Sequence, residues 1–99
     1  MIARVLDYEA VAPRVVEALR RIFPHDTVEV SEGSHGHVYA LVVSGRFNGR
    51  EEMERQTMFW EALRNEMGDD AQAVALAALY GTEELRPWDE PPPTATNGD

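Results

Sequence analysis

Apolar residues along the chain switch between helical and strand spacing, and the switches mark the predicted elements. From Ala12 to Phe23, apolar residues recur at helical spacing while charged residues take the opposite side, which predicts an amphipathic helix. We expect Pro13 in the first turn of this helix, where its missing N–H costs nothing, and Pro24 at its end. Residues 1–11 have only a weak apolar pattern and are interpreted as an N-terminal arm.

Two strand patterns follow the first helix. Residues 27–30 alternate between polar and apolar side chains, which is typical of a half-exposed strand. Residues 38–43 are largely β-branched and almost continuously apolar, which is typical of a central strand. The residues between them are small and polar and predict a loop. We therefore expect an antiparallel hairpin with His35 and His37 at its tip.

A second, longer helix is predicted from about Arg50 to Met67, after a turn that contains glycine. Its apolar face consists of one amide, four apolar side chains and a flanking aromatic residue: Gln56, Met53, Trp60, Leu63, Met67 and Phe59. Charged side chains such as Arg55 are expected to lie outward. Gln56 is either a hydrogen-bonding contact for a partner or a core amide with satisfied hydrogen bonds, and we favour the core amide.

The next segment, residues 71–80, fits two structures. Its alanines favour a helix. Its larger apolar residues alternate onto one face, as they do on a strand: Val74, Leu76, Ala78 and Tyr80. The residues alone leave this choice open. Thr82 is the expected N-cap of a short final turn.

Composition predicts one globular domain, which we place at residues 12–85. The whole chain of 99 residues is 43% hydrophobic and 27% charged, as is usual for such a domain. Residues 86–99 are rich in proline and acidic residues and predict a disordered tail. No apolar run approaches the roughly 20 residues of a membrane helix, and the N-terminus lacks the apolar core of a secretory signal. We expect a cytoplasmic protein without membrane contact.

The charge of the chain disfavours nucleic acid as its main partner. Its formal net charge is −9, whereas affinity for nucleic acid rests largely on cations that contact phosphate. Arg46, Arg50 and Arg55 could still form a local basic patch, but the glutamates among them favour a solvated face. The chain has no cysteine and no recognisable catalytic motif, so we predict that it is not an enzyme.

The histidines of the hairpin tip are the candidate metal ligands. His35 and His37 are separated by one glycine, and both imidazoles can reach one ion if the backbone is extended. The alternative that the residues leave open is an exposed His-Gly-His without a ligand role. His25 follows Pro24 at the predicted helix end and is interpreted as a surface residue.

The order and spacing of the motifs resemble the BolA family. The matching segments are Val42-Val43-Ser44, Phe47-Asn48-Gly49, Glu54-Arg55, Glu66-Met67-Gly68 and Thr82-Glu83-Glu84. The similarity spans about residues 13–85, and the short first loop is most similar to the IbaG/YrbA branch.

The resemblance implies an α+β fold in the order αββαβα, like a class II KH domain. This fold has a three-stranded mixed sheet with helices on one side, and residues 71–80 are then its third strand. The resemblance also implies a monothiol glutaredoxin as partner and a [2Fe-2S] cluster shared with it, in iron regulation or iron–sulfur protein maturation. We expect no cofactor in the isolated chain, which would be a monomer or weak homodimer. An alternative is a nucleic-acid-binding regulator, because the turn and the following helix resemble a helix-turn-helix.

The resemblance also assigns site residues. The family's loop ligand maps onto His37, with His35 as near neighbour, so both are candidate cofactor and metal ligands. The histidine usual after Arg55 is Gln56 here, and the second cluster ligand, at the start of the last strand, maps onto Gln72. Amides are poor ligands for iron in a sulfide cluster, so a diverged module that binds proteins without a cluster is a further hypothesis. The expected partner or nucleic-acid surface comprises Arg46, Asn48, Gly49, Arg50, Arg55, Gln56 and Gln72.

Overall fold

Two helices and three strands make up residues 7–84, the part of the chain that a computed structural model describes. Residues 1–6 of the predicted arm and the predicted tail at 86–99 lie outside the described residues. Within residues 7–84, no helix is long and apolar enough to cross a membrane. Short 3-10 turns precede β2, α2 and β3. In chain order the main elements are α1 (Tyr8–Ile22), β1 (Thr27–Glu32), β2 (Val38–Val43), α2 (Glu52–Met67) and β3 (Val74–Tyr80).

Helix α1 begins at Tyr8, before the predicted start at Ala12, because Asp7 caps it. The Asp7 carboxylate accepts a hydrogen bond from the Glu9 N–H at 3.2 Å and so satisfies one of the free donors of the first turn. The predicted place of Pro13 in the first turn is therefore wrong, since Pro13 lies inside the helix on its exposed side. The missing N–H leaves the carbonyl of the exposed Glu9 to solvent.

The strands form one mixed sheet in the order β1-β2-β3. β1 and β2 are antiparallel, and β3 runs parallel to β2. The predicted α+β class, with a three-stranded mixed sheet and helices on one side, is confirmed. The choice left open for residues 71–80 resolves into a 3-10 turn followed by a strand at Val74–Tyr80. The final element of the predicted order was expected from Thr82; residues 82–84 form a turn, and the residues after Glu84 lie outside the described part of the chain.

The turn after β3 is capped by Gly81 rather than by Thr82. The Glu84 N–H donates to the Gly81 carbonyl at 3.1 Å, and the Glu84 carboxylate accepts from the Gly81 N–H at 2.9 Å. This is the relation of a cap residue to the residue three positions later, so the prediction of Thr82 as N-cap is wrong. The Thr82 hydroxyl instead accepts a hydrogen bond from the Asn48 side-chain amide at 2.9 Å.

Both helices cover the same face of the sheet and enclose the core with it. Fully burying one large apolar side chain stabilises a fold by about 1.5–3 kcal/mol relative to leaving it exposed, so these contacts fix the helices on the sheet. The most deeply buried apolar side chains are Val15, Leu19, Phe23, Val38, Val42, Phe47, Phe59 and Leu63.

The side of helix α2 that faces the core agrees only in part with the face that its apolar residues predict. Met53 is 79% exposed, whereas Arg55, which was expected to lie outward, is only 7% exposed. The buried line of the helix consists of Arg55, Phe59 and Leu63, at four-residue spacing. Of the predicted apolar face, Leu63, Trp60 and Met67 do pack against the core. The outward position of Arg55 was wrong because its guanidinium finds hydrogen-bond acceptors in the Leu79 carbonyl and the Glu84 carboxylate, which the apolar pattern of the helix does not reveal.

Candidate functional site

The β1–β2 hairpin closes through a tight turn that places two histidines at its tip. The Gly33 N–H donates to the His37 carbonyl at 2.8 Å, and the His37 N–H donates to the Ser34 carbonyl at 3.0 Å. Inside this turn His35 has φ 57° and Gly36 has φ 78°, both in the left-handed region. Such values are ordinary for glycine, but for His35 they are unusual and come from the turn itself.

The imidazole of His37 is oriented by the backbone of the same turn. Its Nδ1 lies 3.0 Å from the Ser34 carbonyl oxygen. A carbonyl oxygen only accepts hydrogen bonds, so Nδ1 carries the proton and Nε2 of the neutral ring has its lone pair free. A ring nitrogen held by a carbonyl in this way is the usual outer contact of a metal-binding histidine. The side chain is half-buried, and its Nε2 is chemically suited to bind a metal.

His35 is exposed, and the backbone between His35 and His37 is not extended. The prediction that His35 and His37 hold one ion assumed an extended backbone between them. This assumption is wrong, since His35 and Gly36 both have positive φ. In addition, residues 7–84 contain no group of three or more histidine, cysteine, aspartate or glutamate side chains placed to hold a metal ion. Within residues 7–84, a metal ion at His37 would therefore find fewer than three such ligands in this chain.

Gln72 lies at the same end of the sheet as His37. It is exposed and sits in the 3-10 turn that leads into β3. Because Val38 pairs with Val74 in parallel register, the residues just before β2 and just before β3 are neighbours at this end. A shallow groove of about 210 Å³ adjoins Gln72, and Trp60 and Arg64 of α2 also line it. The position is suited to contact a partner, but an amide there adds no good iron ligand.

Two of the predicted surface residues, Arg46 and Arg50, lie in the turn before α2 and make internal contacts. The Arg46 guanidinium donates to the Ile22 carbonyl at 2.9 Å and lies over the Phe23 ring, 4.8 Å from its centroid. The Arg50 side chain donates to the Arg46 carbonyl at 3.1 Å. These arginines are exposed, but their guanidinium groups help to fix the turn before α2.

Asn48 and Gly49 form the rest of that turn. The Asn48 side chain bridges to the segment after β3, because its amide oxygen accepts from the Glu83 N–H at 3.1 Å. Its amide nitrogen donates to the Thr82 hydroxyl at 2.9 Å. Gly49 has φ 76°, which a residue with a side chain rarely adopts. Both residues therefore have a structural task in the described part of the chain.

Arg55 is not on the predicted surface, because its buried guanidinium forms an ion pair with the exposed carboxylate of Glu84, here called the Arg55–Glu84 clasp. Its Nη1 and Nη2 donate to the two Glu84 carboxylate oxygens at 2.6 and 2.5 Å. Nη1 also donates to the Leu79 carbonyl at 3.2 Å, and Nε to the Arg50 carbonyl at 2.8 Å. With all of its nitrogens engaged, this guanidinium joins α2 to the end of β3 rather than contacting phosphate.

The ion pair between Arg55 and Glu84 shifts the pKa of both side chains. Hydrogen bonds from Arg55, and after them the bond from the Gly81 N–H, lower the pKa of Glu84 from 4.5 to about 2. The hydrogen bond to Glu84 raises the pKa of Arg55 above its ordinary value. In the sequence, Glu84 was noted only within the segment Thr82-Glu83-Glu84 and was not expected to pair with Arg55, although its place three residues after Gly81 is a capping signal.

Gln56 has satisfied hydrogen bonds, as the favoured interpretation predicted. Its Nε2 donates to the Ala77 carbonyl at 3.0 Å and to the Glu52 carboxylate at 2.7 Å. Its Oε1 accepts from the Trp60 Nε1–H at 2.8 Å. The amide thus links two turns of α2 to the backbone of β3. It is half-buried.

We compared the chain with models of protein families, with curated proteins and with solved structures, and none of them matched it.

Proposed function

We propose that the chain is a BolA-like adaptor that binds a monothiol glutaredoxin in the cytoplasm, in iron–sulfur cluster trafficking or iron regulation. His37 would face the partner. The proposal rests on the ordered motifs that resemble this family and on an α+β fold with a three-stranded mixed sheet, which agrees with the family's fold. The observation that carries it is the His37 ring, whose Nδ1 is held by the Ser34 carbonyl, so that Nε2 of the neutral ring bears the lone pair.

The chain's own residues fit a shared [2Fe-2S] cluster only in part. Histidine replaces cysteine on one iron in some clusters of this type, so the His37 imidazole fits one ligand position. Gln72 does not fit the second, and the chain has no cysteine. The other ligands would have to be thiolates of the partner. Such a cluster supplies a transferable iron–sulfur unit, and this chain contributes one oriented imidazole and the surface around it.

A titration with a cluster-loaded monothiol glutaredoxin tests the proposal. We expect the two proteins to co-elute and the visible absorption and circular dichroism of the cluster to change on mixing. The change should disappear with His37→Ala and persist with His35→Ala, the matched control in the same turn. If the spectrum stays the same and His37→Ala does not alter co-elution, the proposed cluster role is wrong.

Two other outcomes identify the alternatives. Co-elution without a spectral change would support a diverged module that binds proteins without a cluster. Retention of short DNA or RNA at low salt, lost steeply as salt rises, would support the nucleic-acid-binding regulator. The engagement of Arg46, Arg50 and Arg55 with backbone carbonyls and Glu84 speaks against that last alternative.

A further inference from the structure

The hydrogen bonds next to the strands show which backbone groups point away from the sheet. The Ser44 N–H donates to the Tyr80 carbonyl at 2.9 Å, so the Tyr80 carbonyl points toward β2. Backbone groups alternate in direction along a strand, and those of Ala77 and Leu79 therefore point to the outer edge of β3. On the other side, the Gly33 N–H donates to the His37 carbonyl and continues the register of the hairpin.

The outer edge of β3 is closed by side chains of α2. The Ala77 carbonyl accepts a hydrogen bond from Gln56 at 3.0 Å, and the Leu79 carbonyl accepts one from Arg55 at 3.2 Å. A strand that approached this edge would have to displace both side chains. Covering an exposed strand edge is a common way to prevent further strands from adding to a sheet.

The outer edge of β1 is different. Because Gly33 is hydrogen-bonded to His37, the residues of β1 that bond to β2 are those at odd positions. Val28, Val30 and Glu32 therefore direct their N–H and C=O groups away from the sheet. Among residues 7–84, neither a backbone bond outside the hairpin ladder nor a side-chain bond reaches these groups. Such an edge is a template for the addition of another strand.

The helix that packs against β1 carries an open, largely apolar groove. α1 packs under β1, and α2 packs under β3. The side of α1 that faces α2 is marked by the ion pairs Arg21–Glu66 and Arg14–Asp70. On the opposite side of α1 is an open groove of about 700 Å³, lined by residues of α1. Its lining includes Tyr8, Glu9, Ala12, Pro13, Val16 and Glu17.

The charges around the edge select the kind of strand that it accepts. Glu29 and Glu32 are exposed on β1, and Glu9 is exposed on the groove side of α1, whereas the Glu17 carboxylate at the groove lies 3.9 Å from the Arg21 guanidinium and is paired with it. Arg20 lies one turn after Val16, toward the start of β1, so the acidic excess is greatest near Glu32. A second copy would bring the same acidic edge and a further net charge of −9. Like charges across an interface are unfavourable, whereas a basic segment is attracted.

We propose that the outer edge of β1 binds an extended, basic segment of a partner protein by strand addition. Its backbone would pair with the free groups of Val28, Val30 and Glu32. Alternate side chains would lie over the groove on α1, where apolar residues fit, and the others would lie beside Glu29 on the open face, where lysine or arginine fits. This surface is separate from the hydrogen bonds that orient His37.

The test uses the full chain and a blocked hexapeptide that alternates lysine and valine. In an NMR titration, the largest amide shifts should occur at Val28, Val30 and Glu32. Binding should be lost when every peptide nitrogen is methylated, since this removes the backbone donors but keeps the charges. A glutamate–valine peptide should not bind. Equal binding of the methylated peptide, or no binding of the lysine peptide, would overturn the proposal.

Charge-reversal variants separate this edge from general attraction to an acidic protein. Glu29→Lys and Glu32→Lys should each weaken binding by roughly two- to fivefold, the range for one exposed ion pair. Glu61→Lys makes the same change in net charge on the exposed side of α2 and should have no effect. An equal loss with Glu61→Lys would contradict a local site.

Amide hydrogen exchange of the free protein checks the edge itself. Val28, Val30 and Glu32 should exchange quickly, whereas Glu29 and Ser31 should be protected by the hairpin ladder. Protection of all of these amides in the free protein would overturn the proposal, because the edge would already be occupied. Protection that rises with protein concentration would identify a second copy as the occupant, and constant protection a segment of the same chain.

Discussion

Substituting Gln56 with methionine tests the interpretation that this residue is a structural amide. Methionine keeps the length and approximate volume of the side chain but removes the donor and acceptor atoms. The variant leaves the Trp60 Nε1–H and the Ala77 carbonyl, both half-buried or at the strand edge, without their partner. The bond to Glu52 is also lost, but Glu52 is exposed and can be hydrated.

The expected loss in the free energy of unfolding follows from these contacts. An internal hydrogen bond contributes about 1 kcal/mol net, so the bonds to Trp60 and Ala77 together contribute about 2 kcal/mol. The exposed bond to Glu52 adds only about 0.3 kcal/mol, as is usual for neighbours on a helix surface. For a domain of this size the total corresponds to a fall of roughly 10 °C in Tm.

Urea unfolding followed by far-ultraviolet circular dichroism measures the loss, and NMR exchange of the Trp60 indole N–H measures the broken contact. Trp88→Phe serves as the background that leaves a single indole signal. Glu52→Ala is the matched control, and it should cost at most about 0.5 kcal/mol because it removes only the exposed bond. Unchanged stability in Gln56→Met together with a protected indole would refute the reasoning. Loss of partner binding instead would favour the contact role.

Three further results are expected. Phe59→Ala should lower the free energy of unfolding by about 3–5 kcal/mol because it opens a cavity in the core, while Met53→Ala on the same helix should change it by less than about 0.5 kcal/mol; equal effects in urea unfolding would contradict the observed orientation of α2. Because its pKa is lowered to about 2, the ionised Glu84 carboxylate contributes its full stabilisation above pH 4.5. This contribution to the free energy of unfolding is lost as the pH falls from 4.5 toward about 2. The stability difference between wild type and Glu84→Gln should therefore narrow over that range, and a constant difference in acid titrations would argue against the clasp. Gln72→His should strengthen the spectral change that is seen on mixing with cluster-loaded glutaredoxin, and this increase should be absent when His37 is also replaced by alanine. If Gln72→His does not increase the spectral change, this would count against a shared cluster at this end of the sheet.

The hydrophobic pattern of the sequence was sufficient for most of the fold, because burial of apolar surface is what the pattern encodes. The antiparallel hairpin and the long second helix follow from period and turn residues alone. The pattern did not decide between a helix and a strand for residues 71–80, since alanine fits both the helical and the strand spacing of apolar residues. The strand there depends on pairing with β2, a contact between segments far apart in the chain.

The candidate site, like the fold, could be predicted from the sequence only in part. The sequence alone identified His37 and placed it at a hairpin tip, because glycine and histidine between two strand patterns indicate a loop. It did not reveal that the Ser34 carbonyl fixes the ring, nor that His35 adopts a left-handed conformation, since both depend on the backbone path of the turn.

The sequence by itself determined the class of fold, the positions of its apolar segments and the absence of thiolate ligands. Tertiary structure alone decided the role of each polar residue. Arg55 and Gln56 lie next to each other in the sequence, yet one is buried against Glu84 and Leu79 and the other is bonded to Ala77. A buried polar side chain needs specific hydrogen-bond partners, and these often come from residues that are near it only in the folded chain. Burial of an apolar side chain is not directional and requires only an apolar environment, so the spacing of apolar residues along the sequence predicts it more readily.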